Sequence, residues 1–514
     1  MAYPQPTEVA PWYLRNITQA LALNETTGNV YVRTDATLGN VTIAGNVNIP
    51  GFVDTHVLEF GNVDISGNTL PISGNVSITS LPEVEIKNDI DNPIPISANT
   101  SPNALTNPIY VSGINDGSFF APTQSDAFGR LRVSDPYTLF DSQNMYKDGG
   151  QFSNVTASGG TITYIANESS FNLAVTSANG SSVITQSKTT QPYQPGKSLL
   201  SMHTFAMAPL VAGCRQRVGQ FTEKNGIYFE ADGEDLYLVI RSSASGSVTE
   251  ERIIQTSWNT DTLKTGSGPN PSGINLDPTL VQIFWSDIEW LGVGNVRAGF
   301  VINGQFIICH VFQHANQSGN TKVYMTSATL NPRYEITNTA NTAGARTMKQ
   351  ICSTVISEGG YSPSPSISYV SSGIRPTRIS SANVYVSLAT IRLNPDCIDA
   401  VIIPAQIDLL LTDVQYGAWQ LVRGASNVAA LTYANVNGGV VQANLSAVEI
   451  GDGEVVYAGV SSSRDTFEAG EDLQKRLQLQ RYANGTPITL TLCAGYGQAN
   501  ADLIWKFGWQ EITN

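Results

Sequence analysis

The stretch Trp285-Ser286-Asp287-Ile288-Glu289-Trp290 carries the side chains in this sequence that are best suited to chemistry. In a β-strand, positions i and i+2 share a face, so Asp287 and Glu289 are predicted to point the same way. Two carboxylates can hydrolyse a glycosidic bond when one acts as nucleophile and the other as acid. The tryptophans can stack on a sugar ring, although tryptophan is more often a core anchor. The hypothesis is a carbohydrate site made of Trp285, Asp287, Glu289 and Trp290.

In its last two acids this stretch resembles the Glu-x-Asp-x-Glu strand at the active site of sugar hydrolases of the two-sheet jelly-roll class. Trp285 stands where that pattern has the nucleophilic glutamate. Because one essential carboxylate is missing, the sequence favours binding over hydrolysis. We therefore predict no catalytic residue and no cofactor, and a polysaccharide depolymerase is the weakest of the functions considered.

Metal binding is also poorly supported by the sequence. His310 and His314 would lie about 13 Å apart on one face of a strand, too far to share an ion. The five cysteines are widely spaced and form no CxxC pair, which argues against a zinc site. We predict no metal site, and expect the cysteines to be reduced and buried.

Composition and charge exclude several classes of partner. The formal net charge is −14, and no run of Lys and Arg provides the basic face that nucleic acids require. The most apolar stretch, IDAVIIPAQIDLLL (398–411), contains two Asp and one Pro and is a poor membrane span. The sequence therefore predicts no nucleic-acid partner and no membrane segment.

The elements that must position these side chains are predicted to be strands. Charged residues are only 14% of the chain, and polar turn residues take their place, which is typical of an all-β protein. Residues 151–410 contain a long run of alternating strands, with hairpin turns at 231–234 and 303–304. We predict a central lectin-like jelly-roll sandwich over 151–410 and a smaller C-terminal β-sandwich over 411–514, with the boundary near 411–425.

A different pattern precedes the sandwiches. Between 28 and 113 the phrase Gly-Asn-Val recurs, and each repeat begins a strand of four or five residues with one apolar face. Such strands are too short to bury a core alone but can do so when wound with copies from other chains. We predict an intertwined, three-fold shaft over 28–113, and the alternative is an ordinary β-domain with Gly-Asn turns. The predicted shaft residues are Val41, Ile43, Val47, Ile49, Val63, Ile65, Val76 and Ile78.

Two further segments flank the shaft. Residues 11–24 show helical apolar spacing, so 1–27 is predicted to be an anchoring segment with a short helix that contacts a neighbouring protein or its own stem. Residues 114–150 are rich in aromatic and turn residues and are predicted to be a linker or collar.

Several phrases resemble structural proteins of tailed bacteriophages, particularly β-rich virion proteins of contractile-tailed phages that infect cyanobacteria. They are PWYLRNITQALALNETTGNVYVRT (11–34), the GNVxI run, and AFGRLRVSDPYTLFDSQNMY (127–146). The resemblance implies a non-enzymatic virion component, such as a trimeric fibre or a tail or baseplate protein, that contacts other virion proteins. A host-glycan-binding receptor protein with a lectin-like central domain is the alternative.

Overall fold

The computed structural model describes residues 21–23, 30–32, 112–115, 119–122, 136–412, 416–426, 431–461, 464–468 and 477–512. The segments before residue 136 form two antiparallel pairs, β1 with β2 and β3 with β4. Their bounds are β1 (Leu21–Leu23), β2 (Val30–Val32), β3 (Ser112–Asn115) and β4 (Phe119–Pro122).

The helix predicted over residues 11–24 is wrong for Leu21–Leu23, which form a strand. The backbone groups of this segment are paired with Val30–Val32 across the ladder, so a local helical pattern yields to strand pairing. The remaining residues of the predicted helix, and all eight predicted shaft residues, lie outside the described residues. The intertwined shaft therefore stays a prediction.

Fifteen strands build the first sandwich. Sheet A has the order β17-β16-β15-β10-β19-β8-β7, with β5 also paired to β19, and sheet B has the order β14-β13-β12-β11-β18-β9-β6. The strands are β5 (Tyr137–Ser142), β6 (Phe152–Ala157), β7 (Thr161–Ile165), β8 (Ser170–Val175), β9 (Ser182–Ser187), β10 (Ser198–Ala206), β11 (Cys214–Phe221), β12 (Gly226–Asp232), β13 (Asp235–Ser242), β14 (Thr249–Ile254), β15 (Gln282–Ile288), β16 (Val296–Ile302), β17 (Gln305–Phe312), β18 (Pro332–Asn338) and β19 (Arg346–Glu358).

The apolar side chains of the two sheets meet between them. Phe229 of sheet B lies 5.0 Å from Phe300 and 6.1 Å from Phe284 of sheet A, measured between ring centroids, and all three are fully buried. Each of these strands alternates a core residue with one on the outer face, as a two-layer sandwich requires.

Eleven strands build the second sandwich. Sheet C has the order β20-β30-β23-β28, with β21 also paired to β30, and sheet D has the order β25-β26-β22-β29-β24-β27. The strands are β20 (Ser366–Ser371), β21 (Thr377–Ile379), β22 (Val386–Leu393), β23 (Val401–Leu411), β24 (Gly417–Arg423), β25 (Ala434–Val436), β26 (Val441–Asn444), β27 (Glu454–Ser461), β28 (Arg464–Glu468), β29 (Leu490–Tyr496) and β30 (Ala501–Ile512).

The strand pairing moves the predicted domain boundary. Residues 366–410 were assigned to the central domain by their position in the sequence, but β20, β21 and β23 pair with the last strand, β30, and so belong to the C-terminal sandwich. The predicted linker 114–150 is likewise wrong in part, since Tyr137–Ser142 pairs with β19 inside sheet A. The chain passes from the first sandwich to the second between Glu358 and Ser366.

The all-β class is confirmed, and both predicted hairpins form. Asp232 pairs with Asp235 across a two-residue turn, and Ile302 pairs with Gln305 across Asn303-Gly304. Asn303 and Gly304 have φ of +53° and +75°, which Asn and Gly tolerate and a tight hairpin requires. Three 3₁₀ turns lie in the described part of the chain, at Ala166–Glu168, Gln255–Ser257 and Pro395–Cys397.

The sequence also predicts reduced cysteines and no membrane segment, and the structure bears on both. All five cysteines are free; Cys214, Cys309 and Cys493 are buried, and Cys352 and Cys397 are half-buried. Over the ranges that the structure describes, no helix combines the length and apolar character needed to cross a membrane.

Candidate functional site

Strand β15 places Asp287 on the outer face of sheet A, as the i, i+2 spacing predicts. Phe284 and Ile288 belong to the core between the sheets, so Trp285 and Asp287 point to the opposite face. That face is covered here: Trp285 is 4% exposed, Asp287 0% and Glu289 2%. These three residues cannot present a stacking surface or a carboxylate to an external glycan.

Asp287 is held by an arginine on the adjacent strand. Arg297 lies directly opposite it across β15 and β16, and its Nε donates to Oδ2 of Asp287 at 3.1 Å. The Nη2 of the same guanidinium also contacts Oδ2. A buried carboxylate needs such a partner because burying an isolated charge costs several kcal/mol. Asp287 is therefore part of a cross-strand ion pair.

The two tryptophans of the predicted site have different surroundings. Trp285 packs edge-on against Phe306, with ring centroids 5.4 Å apart. Trp290 follows β15, is half-buried, donates from Nε1 to the carbonyl of Met325 at 3.1 Å, and meets Tyr193 edge-on at 6.0 Å. The hydrogen bond fixes the Trp290 indole, and part of its surface stays exposed.

Trp290 lines a cavity of about 340 Å³ where the two sandwiches meet. Its walls come from the loops after β9, β15 and β17 of the first sandwich, and from the start of β23, the β25–β26 turn and the end of β30 of the second. The lining residues are Tyr193, Trp290, Thr326, Ser327, Ala328, Thr329, Asp399, Ala400, Val440 and Ile512. A cavity with aromatic, hydroxyl and carboxylate groups is a candidate ligand site, and its volume is typical of small-molecule pockets.

Asp399 is the one charged residue in this lining. Burial raises the pKa of its carboxyl, and nearby Arg481 and Lys224 only partly offset that effect. Its Oδ1 is buried 3.5 Å from Nη2 of Arg481 and has no hydrogen-bond partner among the residues that the structure describes. Perturbed carboxyl groups in clefts are enriched at functional sites.

Arg481 joins the two sandwiches beside the cavity. Its side chain is fully buried, Nη2 donates to Oδ1 of Asn331 at 2.9 Å, and Nη1 lies 3.4 Å from Glu223. Nearby, the amide of Gln478 donates to the carbonyl of Thr190 at 2.9 Å. These contacts hold the segment that precedes β29 against the first sandwich, and so help to fix the cavity walls.

The outer face of sheet B carries a buried charge network that sequence reasoning missed. Arg217 lies opposite both Glu230 and Glu335, and its Nε donates to Glu230 at 2.6 Å. Burial alone would raise the pKa of Glu335, but Arg333 and Arg217 together lower it. The network also includes Glu223, Asp232, Arg241, Glu250 and Arg252. The sequence signal for it was the alternation of charges at i and i+2 in β11, β12 and β18.

The two histidines considered for a metal contact different parts of the sandwich. His310 accepts a hydrogen bond at Nδ1 from the backbone of Asn259 at 3.2 Å, and burial lowers its pKa to about 4. His314 stacks on Tyr324 with centroids 3.9 Å apart. Within the described segments no group of three or more His, Cys, Asp or Glu side chains could hold a metal ion.

Sequence comparison gives no match to any protein-family model or to any curated protein. Several solved structures are similar to this chain, at low TM-scores. The carbohydrate recognition domain of Emp47p is 10% identical, with 44% of this chain and 97% of that chain covered and a TM-score of 0.29. The CBM2 module of the evolved Dit of Lactobacillus casei BL23 phage J-1 is 7% identical, with 45% and 99% covered and a TM-score of 0.28.

A protein of unknown function from Shewanella oneidensis MR-1 is similar to the same extent: 9% identical, with 45% and 90% covered and a TM-score of 0.30. Similarity at this level transfers no binding or catalytic role. The functional argument therefore rests on the residues of this chain.

Proposed function

We propose that this chain is a non-enzymatic structural component of the virion of a tailed bacteriophage. In this proposal three copies join through residues 28–113, the N-terminal region contacts other virion proteins, and the two sandwiches form the body of the protein. The phrase-level resemblance over 11–34 and 127–146 motivates the assignment to a virion.

The observation that carries the non-enzymatic part is the state of Asp287 and Glu289. A glycoside hydrolase needs two carboxylates on either side of an accessible bond. Here both acids are at most 2% exposed, and Asp287 is paired with Arg297. This arrangement supports a structural role for Asp287 and Glu289, the two acids that the sequence suggests for catalysis.

The charge network on sheet B supports the same view. Arg217 and Glu230 lie on neighbouring strands and are at most 5% exposed in their side chains. A buried ion pair adds little net stability, but a register shift would separate its partners and leave a charge unpaired. Such pairs favour one strand register, which suits a protein that must assemble uniformly.

The proposal is tested on purified phage particles by mass spectrometry and cryo-electron microscopy. We expect this chain to be present in a copy number that is a multiple of three. Its absence from particles, despite its expression during infection, would refute the virion role.

The trimer is tested on the purified full chain by analytical ultracentrifugation. We expect a mass near three times 55.1 kDa. A variant that lacks residues 1–113 should be a soluble monomer, because the strands that join the copies are gone. An unchanged trimer in that variant would contradict the shaft.

The enzymatic alternative has its own assay. Purified chain incubated with host envelope polysaccharide should release no oligosaccharide. If release occurs and Asp287→Asn abolishes it while the fold is retained, the chain is a depolymerase and the non-enzymatic proposal fails.

A further inference from the structure

We infer that the cavity between the two sandwiches binds a neutral saccharide, with Trp290 as the stacking surface and Asp399 as the hydroxyl acceptor. This inference does not depend on the virion role. It differs from the site predicted around β15, because only Trp290 of those four residues lines the cavity.

The shape of the cavity fits a short saccharide segment. Its volume of about 340 Å³ lies at the lower end of the range for small-molecule sites, roughly 300–1,000 Å³. The first sandwich contributes the aromatic rings of Trp290 and Tyr193, and the second contributes Asp399, Ala400, Val440 and Ile512. A sugar ring has an apolar face of C–H groups and a polar rim, so it complements walls of both kinds.

The polar groups of the cavity are suited to hydroxyl groups. An ionised carboxylate accepts hydrogen bonds from hydroxyl groups. Oδ1 of Asp399 is itself buried beside Arg481, but the side chain keeps 25% of its surface exposed. Ser327 and Thr329 also line the cavity and supply hydroxyls that can both donate and accept.

The charge of the lining selects against anionic ligands. Asp399 is its only charged residue, and the guanidinium of Arg481 is fully buried and already contacts Asn331 and Glu223. An acidic sugar would place a second negative charge beside Asp399, and Lys224, which partly offsets the charge of Asp399, is not part of the lining. A neutral saccharide is therefore the ligand class that the cavity favours.

The ionised carboxylate of Asp399 also lowers the stability of the fold. The raised pKa of its carboxyl means that folding disfavours the ionised form. An asparagine would keep the shape and avoid that cost. A half-buried acid that lines a cavity and whose charge weakens the fold is a candidate for a binding role.

The test uses the purified full chain on an array of neutral and acidic bacterial-envelope oligosaccharides, followed by calorimetric titration of the strongest binder. We expect at least one neutral oligosaccharide to bind. Asp399→Asn should weaken its affinity about tenfold or more, because hydrogen bonds to a charged acceptor are lost. Ser327→Trp, which fills the cavity, should abolish binding.

The matched control is Asp452→Asn, the same change in a separate cavity of about 320 Å³ in the second sandwich. The affinity of Asp452→Asn for the same oligosaccharide should stay within about twofold of the wild-type value, since an exposed acid far from the ligand contributes little. The inference is overturned if no neutral oligosaccharide binds, if only acidic ones bind, or if Asp399→Asn and Ser327→Trp both bind as the wild type does. None of these outcomes bears on whether the chain is found in phage particles.

Discussion

Two aspartates, one buried and one half-buried, each beside an arginine, show how differently this molecule uses the same side chain. Asp287 on sheet A is fully buried and accepts a hydrogen bond from Nε of Arg297 at 3.1 Å. Asp399, at the meeting of the sandwiches, keeps 25% of its side chain exposed and lies 3.5 Å from Arg481, with Oδ1 lacking a hydrogen bond from any described residue. The first is a structural ion pair. The second lines a cavity and keeps part of its side chain exposed there.

The largest effect is expected at the first aspartate. Arg297→Met would leave Asp287 buried without the guanidinium that now neutralises it, and removing one partner of a buried pair costs about 3–5 kcal/mol. Urea denaturation followed by circular dichroism would measure the loss in the free energy of unfolding.

The control for that variant is the double change Asp287→Leu with Arg297→Met. Replacing both partners by apolar groups should recover most of the lost stability, because no buried charge remains unpaired. If the single and double variants lose the same stability, Arg297 does not stabilise the fold through its pairing with Asp287.

A smaller loss is expected at the junction. Arg481→Met removes the hydrogen bond to Asn331 and the contacts with Glu223 and Asp399, and should lower stability by about 2–3 kcal/mol. Thermal unfolding would measure it. Hydrogen exchange should show faster opening around Lys188, whose carbonyl accepts from the backbone of Arg481.

The exposed pair of Arg378 with Asp502, at 3.3 Å, is the matched control for the junction. Arg378→Met should change stability by less than about 1 kcal/mol, since solvent screens an exposed pair. If Arg378→Met and Arg481→Met lower stability by the same amount, the buried contacts of Arg481 do not join the sandwiches more strongly than an exposed ion pair does.

The smallest effect, and one of opposite sign, is expected at the second aspartate. Because burial raises the pKa of Asp399 above its ordinary 3.8, its proton is bound more tightly in the folded chain, and stability is lost as pH rises through the folded pKa. Asp399→Asn should therefore equal the wild type in stability below pH 3.8 and be slightly more stable at pH 7.

Thermal unfolding of both proteins at pH 3.5 and pH 7 checks this expectation. A variant less stable than the wild type at pH 7 would mean that Asp399 is structural like Asp287, and would remove one argument for the saccharide site.

Local sequence patterns predicted the strands and hairpins well because their determinants are local. The turn at Asn303-Gly304 needs only residues that tolerate positive φ, and both are there. Alternation likewise predicted that Asp287 points away from the core face of β15. It could not predict that this outer face is itself covered.

Features that depend on distant residues were not predictable. The boundary near 411 is wrong because β23 and β30, almost a hundred residues apart, pair along most of their length. Asp399 lies in an apolar stretch that drew attention only as a membrane candidate, and nothing local distinguishes it from Asp408 in the same stretch. Its importance arises from the cavity walls that other loops supply.

The sequence by itself determined the all-β class and the positions of many strands and turns, because composition, alternation and turn chemistry act over a few residues. Tertiary structure alone decided which sandwich each strand joins, which carboxylate is neutralised and which lines a cavity. Burial and charge pairing are set by whatever the fold brings within a few ångströms, and the partners that decide them lie far along the chain.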